Sequence, residues 1–489
     1  MSATPFQSQS SPIDETGMPA ASSLEIDASC RVPVLFLIGK AVGWLVLSSV
    51  FSLMASLKFH SPNLLADCAW LTYGRVQPAQ ASMLIYGFAM PAGVGVALWL
   101  ICRLGRAPLL QAGFITVCAV VWNLGVAIGV LGILAGDSTG FEWLEMPRYA
   151  SPILFLAYAL IGVWALITFQ QRRERRLYVS QWFLLAALFW FPWVYSTANL
   201  LLVFAPVRGT LQAGVNWWYA NNLNTIWLGF VGLAAIFYFI PKLTNRPLHS
   251  YSQAVFAFWL LALFGGWGGI PAGAPLPAWM PSLSTVLGAL ILVPMLAVAI
   301  NCHLTLAGHY SKLKTSLPLP FILFGLVAFI LAGVLGVAGS LHIVSEVTRF
   351  TWFTTAQKQL GLYGFFAMTM FGAIYYIVPR LFQSEWPSAR LVNLHFWCAA
   401  LGTIFYVVPL SVGGIVEGLA LNHGNAQFME VLKSTLMFLR VSTLGDLLIL
   451  IGNGSLLVNI TLLFYRCYRA WCLPAIVSLT KTEIMEVPS

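Results

Sequence analysis

The chain has 489 residues, of which 59% are hydrophobic and only 8% charged. Soluble domains carry about 25% charged residues, so composition excludes that class and indicates a polytopic membrane protein. The net charge of +9 is no sign of nucleic-acid binding, because the basic residues lie in short segments between apolar runs and not along one stripe.

In chain order, residues 1–32 come first. They are polar, rich in Ser and Pro and weakly acidic, with no basic leader or small-residue cleavage site, and are expected to form a disordered cytoplasmic tail. Twelve apolar runs of spanning length follow, at about 33–57, 82–102, 111–135, 149–169, 178–204, 222–240, 252–269, 283–308, 319–342, 360–379, 391–416 and 431–465. They predict an all-α integral membrane protein with a membrane domain over 33–466 and a cytoplasmic tail over 467–489. No tandem or inverted repeat is evident, which weakens the case for many transporter folds.

Loops on the N-terminal side carry sixteen Lys and Arg, among them "QQRRERR" at 170–176, against six on the other side. By the positive-inside rule both termini are expected in the cytoplasm, and a bacterial-type inner membrane is the expected location. The eight cysteines are scattered singly, without C-x-x-C or C-x-x-C-H, so covalent haem attachment is not expected. Phosphate-loop, HExxH and nucleophile-elbow motifs are absent as well.

Several stretches, taken in order, carry a family pattern. They are "WLTYGRVQPAQASMLIYGF" (70–88), "NWWYANN" (216–222), "YFIPKLTNRPLHSY" (238–251), "FWLLALFGGWGG" (258–269), "FGAIYYIVPRLF" (371–382), "LHFWCAALGTIFY" (394–406), "GGIVEGL" (413–419) and "LRVSTLGDLLILIGN" (439–453). Together they resemble subunit I of the cbb3-type haem-copper oxidases over about residues 35–465. The resemblance implies the twelve-helix subunit I fold, two haems, one copper ion and reduction of oxygen to water with proton movement. It also implies six His ligands and a Tyr cross-linked to one copper ligand.

Carried over residue by residue, every one of those places is changed. Where the family reads Arg-x-Arg-Pro-x-His this chain has "RVQPAQ", with Gln80 at the low-spin haem ligand place. Where it reads Trp-Trp-Tyr-Gly-His-Asn this chain has "WWYANN", with Asn221 at a copper ligand place. Gly265 falls on the Tyr place, and Pro271 and Ala272 on the copper His-His pair, in a loop about two residues shorter. "TWFTTAQKQ" replaces the family's Gly-His-x-His segment, so that Gln357 and Gln359 stand at two haem ligand places. Positions two apart on a helix point about 200° apart, so Gln-Lys-Gln keeps the two-sided geometry of His-x-His without the imidazoles. Glutamine offers only a weak, hard oxygen donor.

The expectation is therefore a subunit I relative with no catalytic residues, no haem and no copper. It would act as a non-catalytic accessory subunit of a respiratory electron-transfer complex, partnered by a membrane-anchored c-type cytochrome or other respiratory subunits. The alternatives are an active terminal oxidase with displaced ligands, or a transporter or proton conduit on the same fold. Gln80, Gln357 and Gln359 are expected to bond to each other, to backbone or to water. Lys358 is expected to be a boundary lysine, Glu417 a capping or interface residue, and Arg440 to lie near Glu430 or Asp446.

Overall fold

The computed structural model describes residues 22–423 and 427–485, with side chains as far as Arg469. Twelve helices organise these residues. In chain order they are α1 Ser23–Leu57, α2 Tyr73–Gly105, α3 Ala112–Ala135, α4 Ser151–Gln170, α5 Val179–Phe204, α6 Leu211–Thr244, α7 Tyr251–Gly265, α8 Trp279–Leu306, α9 Leu319–Ser340, α10 Trp352–Phe382, α11 Ala389–Asn422 and α12 Phe428–Met485. A short helix, His342–Thr348, links α9 to α10.

Eleven of the twelve are long and apolar enough to cross a membrane; α7 is not. The span expected at 252–269 is a helix of 15 residues. At 1.5 Å per residue it reaches roughly 22 Å, short of a hydrocarbon core of about 30 Å. Gly265, Gly266, Gly268 and Gly269 stop it, since each glycine costs about 1 kcal/mol relative to alanine inside a helix.

Two boundaries also differ from expectation. Residues 23–32 are not a disordered tail but the first turns of α1; residues 1–21 lie outside the described residues. Ser22 and Glu25 form a reciprocal capping box that starts the helix. Asp27 then accepts from Trp99 Nε1 at 2.9 Å and pairs with Arg103 at 3.6 Å, tying the new turns to α2. At the other end, the tail expected from 467 continues α12 to Met485; residues 455–473 contain no glycine or proline to end it, and the helix runs on past Pro474.

Helices α2, α6 and α10 form the inner layer. In their most apolar stretches 100%, 83% and 94% of residues are buried, against half or less in the other eight long helices. Each carries a π-helical stretch, beginning at Met83, Asn222 and Leu360. Each ends on a non-glycine residue in the left-handed region: Arg106 (φ 51°), Asn245 (φ 59°) and Gln383 (φ 54°). In all three the wide stretch starts 23 residues before that cap. A repeat is thus present after all. In sequence it survives mainly in the helix ends, "ICRLGR", "IPKLTN" and "VPRLFQ", too little to stand out among apolar runs.

The outer helices pack closely where side chains are missing. A Cβ on Gly414 of α11 would lie 2.1 Å from the Phe353 nitrogen. The "GGIVEGL" motif is therefore a seam that lets α11 touch the start of α10, as small residues do between membrane helices.

Candidate functional site

The places singled out in the sequence fall on α2, α6, the end of α7 with its following loop, and α10. They do not form one constellation. They divide into a part held by α1 and a part built around α6, α7 and α10.

Gln80 lies in the first turns of α2 and is buried. Its Nε2 donates to Ser48 Oγ on α1 at 3.3 Å, and the same hydroxyl donates to the Gln80 carbonyl at 3.0 Å. The expected contact with the α10 glutamines is absent: Gln80 is satisfied within its own helix pair.

On α6, Asn221 Nδ2 donates to the Gly265 carbonyl at 2.7 Å. Its neighbour Asn222 donates to the Gly266 carbonyl at 2.9 Å and to the Trp218 carbonyl at 2.8 Å, and accepts from Trp190 Nε1 at 2.8 Å. The last carbonyls of a helix have no partner within it, and here two amides supply one. The two asparagines therefore clamp the end of α7. Gly265 sits so close that a Cβ would be 2.8 Å from Ile226 Cδ1 and 3.0 Å from Thr225 Cγ2. Gly269, at φ +93°, passes over Asn221 with equally little room. Pro271 is buried and Ala272 half-buried in the loop beyond.

On α10, Gln357 faces a cavity of about 210 Å³ whose walls also include Asn221, Asn224, Pro271, Ala272 and Arg349. Among the described residues, no hydrogen bond reaches the side-chain amide of Gln357 or Gln359. The Gln357 amide lies against Gly336 of α9, where a Cβ would come 2.9 Å from Nε2. The expectation that all three glutamines are bonded holds within the protein for Gln80 alone.

Lys358 does not stand alone at the boundary: it forms an ion pair with Glu142, in the loop between α3 and α4. Glu417 caps α10, accepting from the Trp352 nitrogen at 3.0 Å. Arg440 departs from expectation. It is exposed and donates to the Phe59 carbonyl at 3.3 Å, while Asp446 accepts instead from Ser52 at 2.7 Å and from Ser56.

Histidines elsewhere have local partners. His395 Nδ1 bonds the Tyr375 hydroxyl at 2.8 Å, His60 bonds Thr443 at 3.0 Å, and His342 pairs with Glu346 at 3.2 Å. Among the described residues no three His, Cys, Asp or Glu side chains gather where they would share a metal ion.

Two groups were not singled out by sequence. Arg349, in the loop before α10, donates to the Gly269 carbonyl at 2.8 Å, and burial lowers its pKa. Glu145, in the loop between α3 and α4, is buried, accepts from the Trp143 nitrogen at 3.0 Å, and has its pKa raised by burial to about 7. That loop covers the α2–α6 junction: Tyr86 of α2 donates to the Trp143 carbonyl at 2.5 Å and meets Tyr219 of α6 at 2.8 Å. Neither Arg349 nor Glu145 lies in a motif, and only burial of a loop charge distinguishes them.

Comparison with known proteins accords with this architecture. Residues 32–448 match the family described as Cytochrome C and Quinol oxidase polypeptide I. The chain is 28% identical over 449 residues to a cytochrome c oxidase subunit 1 homolog of Azorhizobium caulinodans, covering 87% of this chain and 80% of that protein. It is 26% identical over 423 residues to the cbb3-type cytochrome c oxidase subunit CcoN1 of Stutzerimonas stutzeri, covering 83% and 88%. A nitric oxide reductase polypeptide of Stutzerimonas stutzeri is 25% identical over 223 residues, covering 41% of this chain and 44% of that protein.

Proposed function

This chain belongs to the cytochrome c and quinol oxidase polypeptide I family, and from that premise we propose that it is a cbb3-type subunit I relative that binds neither haem nor copper. In this reading it serves as a non-catalytic membrane subunit of a respiratory electron-transfer complex, with both termini in the cytoplasm. Its partners are a membrane-anchored c-type cytochrome or other subunits of that complex.

The observation that carries the reading is the clamp at the end of α7. Haem iron in proteins is held by His, Cys, Met or Tyr, and copper favours imidazole or thiolate. The resemblance puts Gln80, Gln357 and Gln359 at haem ligand places and Asn221, Gly265, Pro271 and Ala272 at the copper site, and none of these supplies such a donor. Asn221 is occupied by the Gly265 carbonyl, and at Gly265 the neighbouring Ile226 leaves no space for a tyrosine. The donor set does not fit either group, so no catalytic step is derived through them.

The test is a reduced-minus-oxidised optical spectrum of the purified chain, with haem and copper quantified per protein. Substoichiometric haem and copper are expected. One haem or one copper per chain would sink the proposal and restore an active oxidase with displaced ligands.

A further inference from the structure

The cavity beside α6 and α10 has an unusual charge balance. Its walls contain one guanidinium, Arg349, and no carboxylate. Arg349 makes no ion pair within 4 Å among the described residues, and one of its five donors is used, on the Gly269 carbonyl. Glu142 acts on it only from a distance and is itself paired with Lys358. Arg349 is half-buried, and a charge partly withdrawn from water without a counter-ion is costly, more so inside a membrane protein.

Two further donors face the same space. The amides of Asn224 and Gln357 line the cavity from α6 and α10, and neither has a hydrogen-bond partner among the described residues. The other polar groups of the wall are already committed. Asn221 Nδ2 bonds Gly265, Thr225 bonds Asn221, Ser284 receives the Ile270 nitrogen, and Ser340 bonds Val337. Thr348 and Thr354 donate to carbonyls of their own turns. The side chains left free on this volume are one guanidinium and two amides, each amide offering an NH2 donor beside its carbonyl oxygen.

A second, more open cavity of about 250 Å³ shares Arg349 and Pro271 with the first and is lined by the exposed pair His342 and Glu346. Arg349 therefore borders both the outer cavity, which Glu346 also lines, and the inner one. An arginine in such a lining raises an electrostatic barrier to cations and favours anions.

We propose that the inner cavity is a binding site for a small monovalent anion, a short-chain carboxylate or an oxyanion of similar size, held by Arg349, Gln357 and Asn224 and entering past Arg349. The anion supplies the counter-charge that the protein does not. The proposal goes beyond the accessory-subunit reading but rests on it in one respect, that neither haem nor copper fills this space.

Charge-selective cysteine labelling tests it. Thr354, which lines the cavity but is not one of the three binding groups, is replaced by Cys in the purified full-length chain carrying Cys68→Ser, after its haem and copper content is measured. A negatively charged sulfonatoethyl methanethiosulfonate is expected to label Thr354→Cys on the order of tenfold faster than its trimethylammonium counterpart, the size of effect one nearby charge produces at intermediate dielectric. Acetate or nitrate is expected to slow the anionic reagent. Adding Arg349→Gln should abolish the preference, and Arg349→Lys should retain it. Ala332→Cys, on α9, is the second reporter if Thr354→Cys disturbs folding. Equal labelling by both reagents, no labelling at either reporter, or a preference unchanged in Arg349→Gln would overturn the anion site. Stoichiometric metal would instead overturn the accessory-subunit reading, so the two failures are separable.

Discussion

Gln80 on α2 and Gln357 on α10 occupy the same slot of the inner-helix repeat, each 26 residues before its left-handed cap at Arg106 and Gln383. The residue is identical and the backbone equivalent, yet the outcomes differ. Gln80 meets a serine on α1 and is satisfied; Gln357 meets Gly336 on α9 and faces a cavity. The same contrast holds for Asn221 and Gln359, each 24 residues before its cap: the first clamps α7, the second has no partner among the described residues. A polar side chain at these inner-helix slots thus takes its role from the helix opposite. Where that helix offers a polar group the position becomes structural, and where it offers glycine the position stays open.

The strongest perturbation forces a side chain into the closed part. Gly265→Tyr puts a large ring at that place, against Ile226 and Thr225, and should cost more than about 3 kcal/mol through overpacking. The thermal midpoint in detergent would fall sharply; an unchanged midpoint would mean the α6–α7 contact is loose.

Next in size is the junction of α2 and α6, which is closed by tyrosines where that of α6 and α10 borders a cavity. Glu145 is buried beneath the loop covering it, with its pKa raised from 4.5 to about 7. A carboxyl with a raised folded pKa favours folding when protonated. Its contribution is fully present below about pH 4.5 and is lost as pH rises through 7. At pH 8 Glu145→Gln should therefore stabilise the chain by about 3 kcal/mol at most, since each pKa unit corresponds to roughly 1.4 kcal/mol. Near pH 4.5 the advantage should vanish. An advantage of equal size at both pH values would mean that the carboxylate is not desolvated.

Asn222→Ala removes three hydrogen bonds at once and should cost about 2–3 kcal/mol at about 1 kcal/mol each. Asn221→Ala removes the bond to Gly265 and the longer one accepted from Thr225 and should cost about 1–2 kcal/mol, giving a measurable ranking of the two clamps.

How much was legible in the sequence depended on what each feature is made of. Spans were legible because runs of apolar residues are long, and family membership because motifs such as "NWWYANN" recur in order. The short α7 was not, because "FWLLALFGGWGG" is apolar enough to count as a span until its glycines stop the helix. The start of α1 at Ser23 was hidden behind a polar composition, although the Ser22–Glu25 capping box was there to be read. Arg349 looked like one more loop charge. Its meaning lies in its surroundings: a bond to the Gly269 carbonyl, and a cavity wall shared with two amides and without a carboxylate, assembled from α6, α10 and the loops before α8 and α10.

A smaller effect bears most directly on the two glutamine slots. Ser48→Ala removes the partner of the Gln80 amide and turns the closed slot into a copy of the open one. One buried amide left unpaired should cost about 1–2 kcal/mol, because desolvation is no longer offset. Gln80→Leu in the Ser48→Ala background removes the unpaired group as well, and most of the loss should return, as replacing both partners of a buried hydrogen bond by apolar groups is close to neutral. The corresponding Gln357→Leu should behave differently. Its amide has no protein partner to lose, so stability should change by less than about 0.5 kcal/mol, while labelling of Thr354→Cys by the anionic reagent should slow. If Gln357→Leu instead destabilises as much as Ser48→Ala does, Gln357 is held as firmly as Gln80 and the two slots are alike.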